Sequence, residues 1–206
     1  MDSKHNTEEK ILDAAMDIFL DKGLYGAKMQ EIADKAGINK AMLHYYFRSK
    51  DKLYAHVFEK VFSGLFGQLH YIFATNDPFK VKVTNFVNSY IDLIKQNPRI
   101  PSFIIREIGE GGETAAMVLN KITTEQKNVL PLTFIQSVRM AIQNKEIRNL
   151  DPRQLVVTIL GACVFFFVAE PIINVFLEKD TNYDRSIFLE ERKNAIIDTI
   201  FNGINP

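Results

Sequence analysis

Lys40, Met42, His44 and Tyr45 fall close together and share the outward side of one short predicted helix. A lysine there can meet phosphate. Histidine and tyrosine can donate to base edges, and methionine can pack on a thymine methyl group. The neighbouring residues position them. Met29, Ile32, Ala33 and Ala36 recur at i, i+3, i+4 and i+7, one face of a helix. Gly37 breaks that pattern, as a residue taking positive φ at a helix C-terminus does. Asn39 can cap a second helix that runs to about Phe47. Two short helices around a tight turn are helix-turn-helix grammar, and the second of them reads the major groove. Lys28, Met29 and Gln30 open the first helix of the pair. Its free backbone amides and dipole favour a phosphate, which Lys28 can also meet, and Gln30 is a candidate base reader. Between Lys22 and Lys50, six basic residues stand against two acidic ones, so positive charge gathers where DNA would lie.

At these residues the chain resembles the TetR family of one-component transcriptional regulators. Residues 11–19 match the amphipathic first helix and Gly23-Leu24-Tyr25-Gly26 the turn that follows it. Ile32-Ala33-Asp34-Lys35-Ala36-Gly37-Ile38 matches the I-A-x-x-A-G-(I/V) core. Leu43-His44-Tyr45-Tyr46-Phe47 and Arg48-Ser49-Lys50-Asp51-Lys52-Leu53 match the L-Y-x-Y-F end of the reading helix and the basic entry to a long fourth helix. The match covers roughly the first 60 residues, and it departs twice. Lys28 stands where the family usually has Thr or Ser, and His44 replaces the first Tyr of the signature. The resemblance implies that Tyr46 and Lys50 hold the DNA backbone. It also implies a body with a ligand between the fourth and eighth helices, and a last helix pair that forms a four-helix bundle with its symmetry mate.

Composition narrows the alternatives. The chain has 206 residues, which suits a small head and a larger body, and we expect the division at 1–50 and 51–206. Formal net charge is zero, so the whole molecule is not a nonspecific polycation. One cysteine, Cys163, allows no disulfide framework, and residues 1–10 are polar, so a cytoplasmic protein is expected. Residues 155–177 are the most apolar segment. Thr158, Gly161, Glu170, Pro171 and Asn174 interrupt it, which favours a buried or interface helix over a membrane span. His5, His44, His56 and His70 have no metal-ligand spacing, and no nucleophile elbow, phosphate loop or dinucleotide fingerprint occurs. We therefore expect no enzyme activity, cofactor or metal.

Apolar periodicity predicts helices over residues 50–74, 79–96, 101–108, 114–144, 151–177 and 184–201. Asn6-Thr7-Glu8-Glu9 offers a capping box for the first helix, and a break is expected near Thr123 and Thr124. Pro131 is expected in the first part of its helix, and residues 179–182 as a turn. No strand pattern appears, so the fold class is all-α: a three-helix head and a helical ligand-binding and dimerisation body. Phe62, Phe66, Phe86, Tyr90, Phe103, Phe134, Phe165 and Phe166 come from helices expected to pack together. Periodicity fits a filled core and a lined cavity equally, and the cavity rests on the resemblance. Glu107, on an otherwise apolar helix, is a candidate to fix a polar ligand group or to form a surface or intramolecular salt bridge. The segment 151–177 is apolar on every side and so needs burial on every side. Val156, Leu160, Cys163, Phe167, Ile197 and Ile200 are the expected dimer contacts. The resulting expectation is a homodimeric repressor that binds a palindromic double-stranded operator and is released by a small apolar or aromatic effector, with no membrane association. A regulator whose body binds a protein partner, or an all-α enzyme or carrier, remains the alternative.

Overall fold

Ten helices and no strand make up the regular structure of the described residues. The computed structural model describes residues 2–125, 130–177, 179 and 183–205, and for residues 2–5, 66, 68 and 131 it describes the backbone alone. In chain order the helices are α1 (Asp2–Gly26), α2 (Met29–Ala36), α3 (Lys40–Tyr46), α4 (Lys50–Ala74), α5 (Phe79–Gln96), α6 (Arg99–Gly109), α7 (Glu113–Glu125), α8 (Leu130–Gln143), α9 (Pro152–Leu177) and α10 (Arg185–Ile204). Cα distances group them into two compact units, Met1–Gly64 with Arg99–Glu125, and Leu65–Pro98 with Gln126–Pro206.

In the first unit, α1 buries Ile11, Ala15, Ile18 and Phe19. Its helical run breaks at Gly23, whose φ of 66° and ψ of −175° belong to a region open almost only to glycine. A Cβ there would also stand 2.6 Å from Arg106 Cδ. α2 closes on Gly37 in the left-handed conformation, and the amides of Gly37 and Ile38 donate back to Asp34 and Ala33. Asn39 caps α3, its side chain accepting from the Met42 amide at 2.8 Å. Leu43 and Phe47 are buried.

α6 is the helix that binds this unit together. Its Phe103 is fully buried, stacked on Phe58 at 4.4 Å and edge-on to Tyr54 at 5.5 Å, both from α4. Arg99 donates to Asp17 at 2.8 Å and to Asp21 at 3.1 Å on α1, and Arg106 donates to the Asp21 carbonyl at 3.1 Å. Asp17 also pairs with Lys35 of α2 at 2.9 Å. Hydrogen bonds from Arg99 and Lys35 hold the Asp17 carboxyl below its usual range.

The second unit is an aromatic core. Phe73 meets Phe134 at 4.4 Å and Phe86 at 5.4 Å, and Phe79 reaches Phe134 and Phe201. Phe166 of α9 packs on Phe188 of α10 at 5.0 Å. Lys193, nearly buried, is neutralised by Asp92 at 2.6 Å and Glu190 at 2.9 Å. Helix ends are satisfied by side chains: Glu146 accepts the Phe79 amide at 2.6 Å, and Asp184 accepts from Ser186 and Ile187.

Several sequence expectations shift. α1 begins at Asp2, so Asn6 lies inside the helix and the capping box does not form its start. Nothing in Ser3-Lys4-His5 breaks a helix. The break expected near Thr123 and Thr124 falls within two residues of them, since α7 ends at Glu125. The chain leaves α7 after Glu125 and enters α8 at Leu130, with Pro131 in the first turn, where its missing amide is harmless. α10 runs on through Asn202 and Gly203 to Ile204. Residues 180–182 of the expected turn lie outside the described residues.

Phe103→Ala should cost about 3–5 kcal/mol of stability in chemical denaturation, because it empties the space between Tyr54 and Phe58. Burial pushes the Cys163 thiol up to about 12. It should therefore resist alkylation at pH 8 in the folded chain and react once the chain is unfolded. Rapid labelling of the native protein would contradict its placement.

Candidate nucleic-acid interface and effector site

The outward side of α3 carries the predicted reading residues. Lys40 and His44 are exposed, Met42 is 42% exposed and Tyr45 72%, while Leu43 beneath them is fully buried. Tyr46 is half-buried and edge-on to Tyr45 at 5.6 Å. A seven-residue helix with one buried turn and an exposed basic, aromatic and thioether face can enter a major groove and keep its orientation there.

α2 supplies the second part of the surface. Lys28 precedes it in extended conformation and makes no side-chain cap, so the first amides of the helix have no side-chain acceptor. Lys28 is exposed, and Met29 half-buried. Gln30 is exposed and donates one amide hydrogen to Asp34 at 2.7 Å. Lys50, expected to hold the DNA backbone, has a contact within the chain. Its ammonium donates to the Ala27 carbonyl at 3.2 Å and ties the start of α4 to the α1–α2 connection. Lys22 is paired with Glu31.

The residues expected to line a ligand site separate. Phe62 and Phe103 belong to the first unit and are packed in its core, Phe62 against Phe58 at 5.6 Å. Phe66 lies in α4, but its side chain is outside the described residues. Phe86, Tyr90 and Phe134 come together in the second unit, with Phe86 stacked on Tyr90 at 5.4 Å and 6.0 Å from Phe134. Phe86 and Phe134 are buried and Tyr90 is half-buried. Burial, reinforced by Cys163, pushes the Tyr90 hydroxyl up to about 12, so it remains a neutral donor. Phe166 is buried against α10. Phe165 is 62% exposed and points elsewhere, because one residue along a helix is a turn of about 100°.

Glu107 is 3% exposed, and its carboxylate is already committed. Oε1 accepts the amides of Thr114 at 2.8 Å and Ala115 at 3.1 Å, capping α7. Glu107 thus acts as a helix cap, contributed from the preceding helix across the turn at 109–112, and forms no ion pair among the described residues.

α9 has two faces. Leu155, Ile159, Cys163 and Phe166 are buried in the chain's own core, as are Ile197 and Ile200 of α10. Cys163, Ile197 and Ile200, expected as dimer contacts, are thus buried within the chain itself. Val156, Leu160 and Phe167 are half-buried at the edge. The outward stripe is Val157, Phe165, Ile172, Val175 and Phe176, each at least 59% exposed, with Gly161 among them. Alternation within a helix that is apolar on all sides hid this stripe. The arginine clamp had a legible signal: Asp17 and Asp21 are i, i+4, and Arg99 and Arg106 are i, i+7. Among the described residues α9 is the one helix long and apolar enough to cross a membrane.

The family model described as "Bacterial regulatory proteins, tetR family" matches residues 11–57. The transcriptional activator FasR of Mycolicibacterium smegmatis is 31% identical over 88 residues, which span 43% of this chain and 40% of that protein. The transcriptional regulator RutR of Escherichia coli K12 is 23% identical over 205 residues, 97% of this chain and 91% of its own length. The fold matches that of the transcriptional regulator FadR from Bacillus subtilis in complex with stearoyl-CoA, with a TM-score of 0.68 at 17% identity over 96% of this chain and 99% of that one.

Tyr45→Ala should weaken specific DNA binding by about 1–3 kcal/mol and relax preference at one position of the site. Lys28→Ala should weaken all sequences alike and lower the salt slope by about one. Fluorescence anisotropy over a salt series separates the two. Unchanged binding by both variants would remove α2 and α3 from the interface.

Proposed function

We propose that this chain, which belongs to the TetR family of bacterial regulatory proteins, is a ligand-responsive transcriptional regulator that binds a palindromic operator as a homodimer. One observation carries the reading: Lys40, Met42, His44 and Tyr45 all stand outward on a short helix whose other side is locked into the head. Residues 1–50 form the reading head, and residues 51–206 serve ligand binding and dimerisation. Tyr46 and Lys50 support the backbone contact from the flank. Lys50 does so with the donors that the Ala27 carbonyl leaves unused.

A second copy covers the outward stripe of α9. The stripe offers five large apolar side chains and a glycine that lets helices approach closely. Its burial by a symmetry mate also gives the two-fold axis that a palindrome requires, with half-sites about 34–36 Å apart or a multiple of that. A dimer seam, rather than a lipid contact, accounts for the apolar character of α9, and the protein works in the cytoplasm. It is not an enzyme and takes no cofactor.

The effector is small and largely apolar, an acyl chain being the simplest match for the aromatic cluster of Phe86, Tyr90 and Phe134. FadR of Bacillus subtilis, of similar fold, holds stearoyl-CoA. Tyr90 has a hydroxyl to orient a polar end. The regulator represses when free of effector and leaves its operator when the effector binds. That exchange requires a different effector affinity in the two states.

Selection from a random duplex library should return an inverted repeat, and sedimentation at micromolar concentration should give a dimer. Phe165→Asp, placed on the exposed stripe where it leaves the core intact, should yield folded monomer and lose operator binding. A monomeric wild type, or a selection without any repeat, would overturn the proposal.

A further inference from the structure

Two lysines of the second unit are nearly buried, and they differ in what surrounds their charge. Lys193 of α10 is 7% exposed and is neutralised by Asp92 at 2.6 Å and Glu190 at 2.9 Å. Lys82 of α5 is 9% exposed, yet its ammonium makes no ion pair or hydrogen bond among the described residues. Lysine is almost never buried to this degree without a partner, because taking its charge out of water costs free energy that an opposite charge must offset. Glu146, at the start of α5, is already occupied. Its Oε2 accepts the Phe79 amide at 2.6 Å and its Oε1 the Asn144 side-chain amide at 3.3 Å.

The surroundings of Lys82 are aromatic. It lies three residues after Phe79 and four before Phe86, so the three share one face of α5. Both rings reach Phe134 of α8, Phe79 at 6.5 Å and Phe86 at 6.0 Å. Phe86 is also stacked on Tyr90 at 5.4 Å. A cation without a counter-charge thus stands on the helix face that carries the aromatic cluster.

We propose that Lys82 is the anchor for an anion on the effector, which is therefore amphipathic: an apolar body that ends in a carboxylate or a phosphate. The proposal rests on the effector reading above and narrows its ligand class. The apolar part packs with Phe86, Tyr90 and Phe134, and the anionic end supplies the counter-charge that the described residues do not. A charge-assisted hydrogen bond is shorter and stronger than a neutral one, and more so where little water surrounds it. A neutral molecule of the same length gains the apolar contact alone and leaves the ammonium as it was.

The test is calorimetric titration of the full chain with decanoate, decanoyl-CoA and 1-decanol, together with the urea midpoint of the ligand-free protein. Wild type should bind decanoate or decanoyl-CoA about tenfold or more tighter than 1-decanol. A preference for decanoate places a carboxylate at Lys82, and a preference for decanoyl-CoA alone places a phosphate there. Lys82→Met keeps the apolar stem and removes the charge. It should erase the preference and keep the 1-decanol affinity, while Lys82→Arg should retain the preference. Ligand-free Lys82→Met should unfold at the same or a higher urea concentration, because an uncompensated buried charge has been removed. If Lys82→Met does not fold, Lys82→Gln decides in its place. Equal binding of all three probes by wild type overturns the anion and leaves an apolar effector. A preference that persists without the lysine, or a midpoint that falls in Lys82→Met, overturns Lys82 as the anchor. A wild type that binds none of the probes overturns the effector reading itself, and the anchor with it.

Discussion

The reading head keeps its shape because α6 is driven between α1 and α4. The contact has an apolar and a polar half. Phe103 fills the angle against Tyr54 and Phe58, and aromatic pairs in edge-on and offset geometry add directional preference to the area they bury. Arg99 and Arg106 then fix the end of α1, at Asp17, Asp21 and the Gly23 turn. These surface pairs are individually weak and are screened by salt. Their value is positional. Arg106 lies where any side chain at residue 23 would go, so the turn that aims α2 is shaped jointly by glycine and by α6.

Position, rather than stability, links that constraint to recognition. α2 and α3 are too short to persist alone, since isolated helices of this length are marginal in water. They are held by Ile32, Ala33, Leu43 and Phe47, all in the core, and by Lys35 on Asp17 and Lys50 on the Ala27 carbonyl. Lys40, Met42, His44 and Tyr45 are left exposed. A helix-turn-helix reads sequence only as accurately as its reading helix is oriented.

The head was almost wholly legible in the sequence. Its signals are local: a 3.6-residue period in Met29 to Ala36, a left-handed glycine at 37 and a capping asparagine at 39, and each forms as local physics dictates. The body was less so. Phe165 and Phe166 are identical in type and adjacent in sequence, yet one faces solvent and the other the core. In α9, apolar almost all round, no period distinguishes the sides, and packing against α5, α8 and α10 makes the choice. Glu107 shows the same limit. Its residue type suggested a ligand contact or an ion pair, and its role as the cap of α7 depends on a corner that brings Thr114 back to it. The Gln30–Asp34 and Lys50–Ala27 contacts likewise show partners within the chain that residue type alone did not reveal.

The central claim is that one chain couples an apolar effector to DNA, and coupling between two sites is reciprocal by thermodynamic necessity. The direct measurement is titration calorimetry of stearoyl-CoA, the probe suggested by a protein of similar fold, into the free protein and into the protein saturated with its selected operator. The account predicts binding that is weaker on the operator complex by about 5–150-fold, matched by an equal loss of operator affinity when the effector is saturating. Tight binding with equal affinity in both states would contradict it.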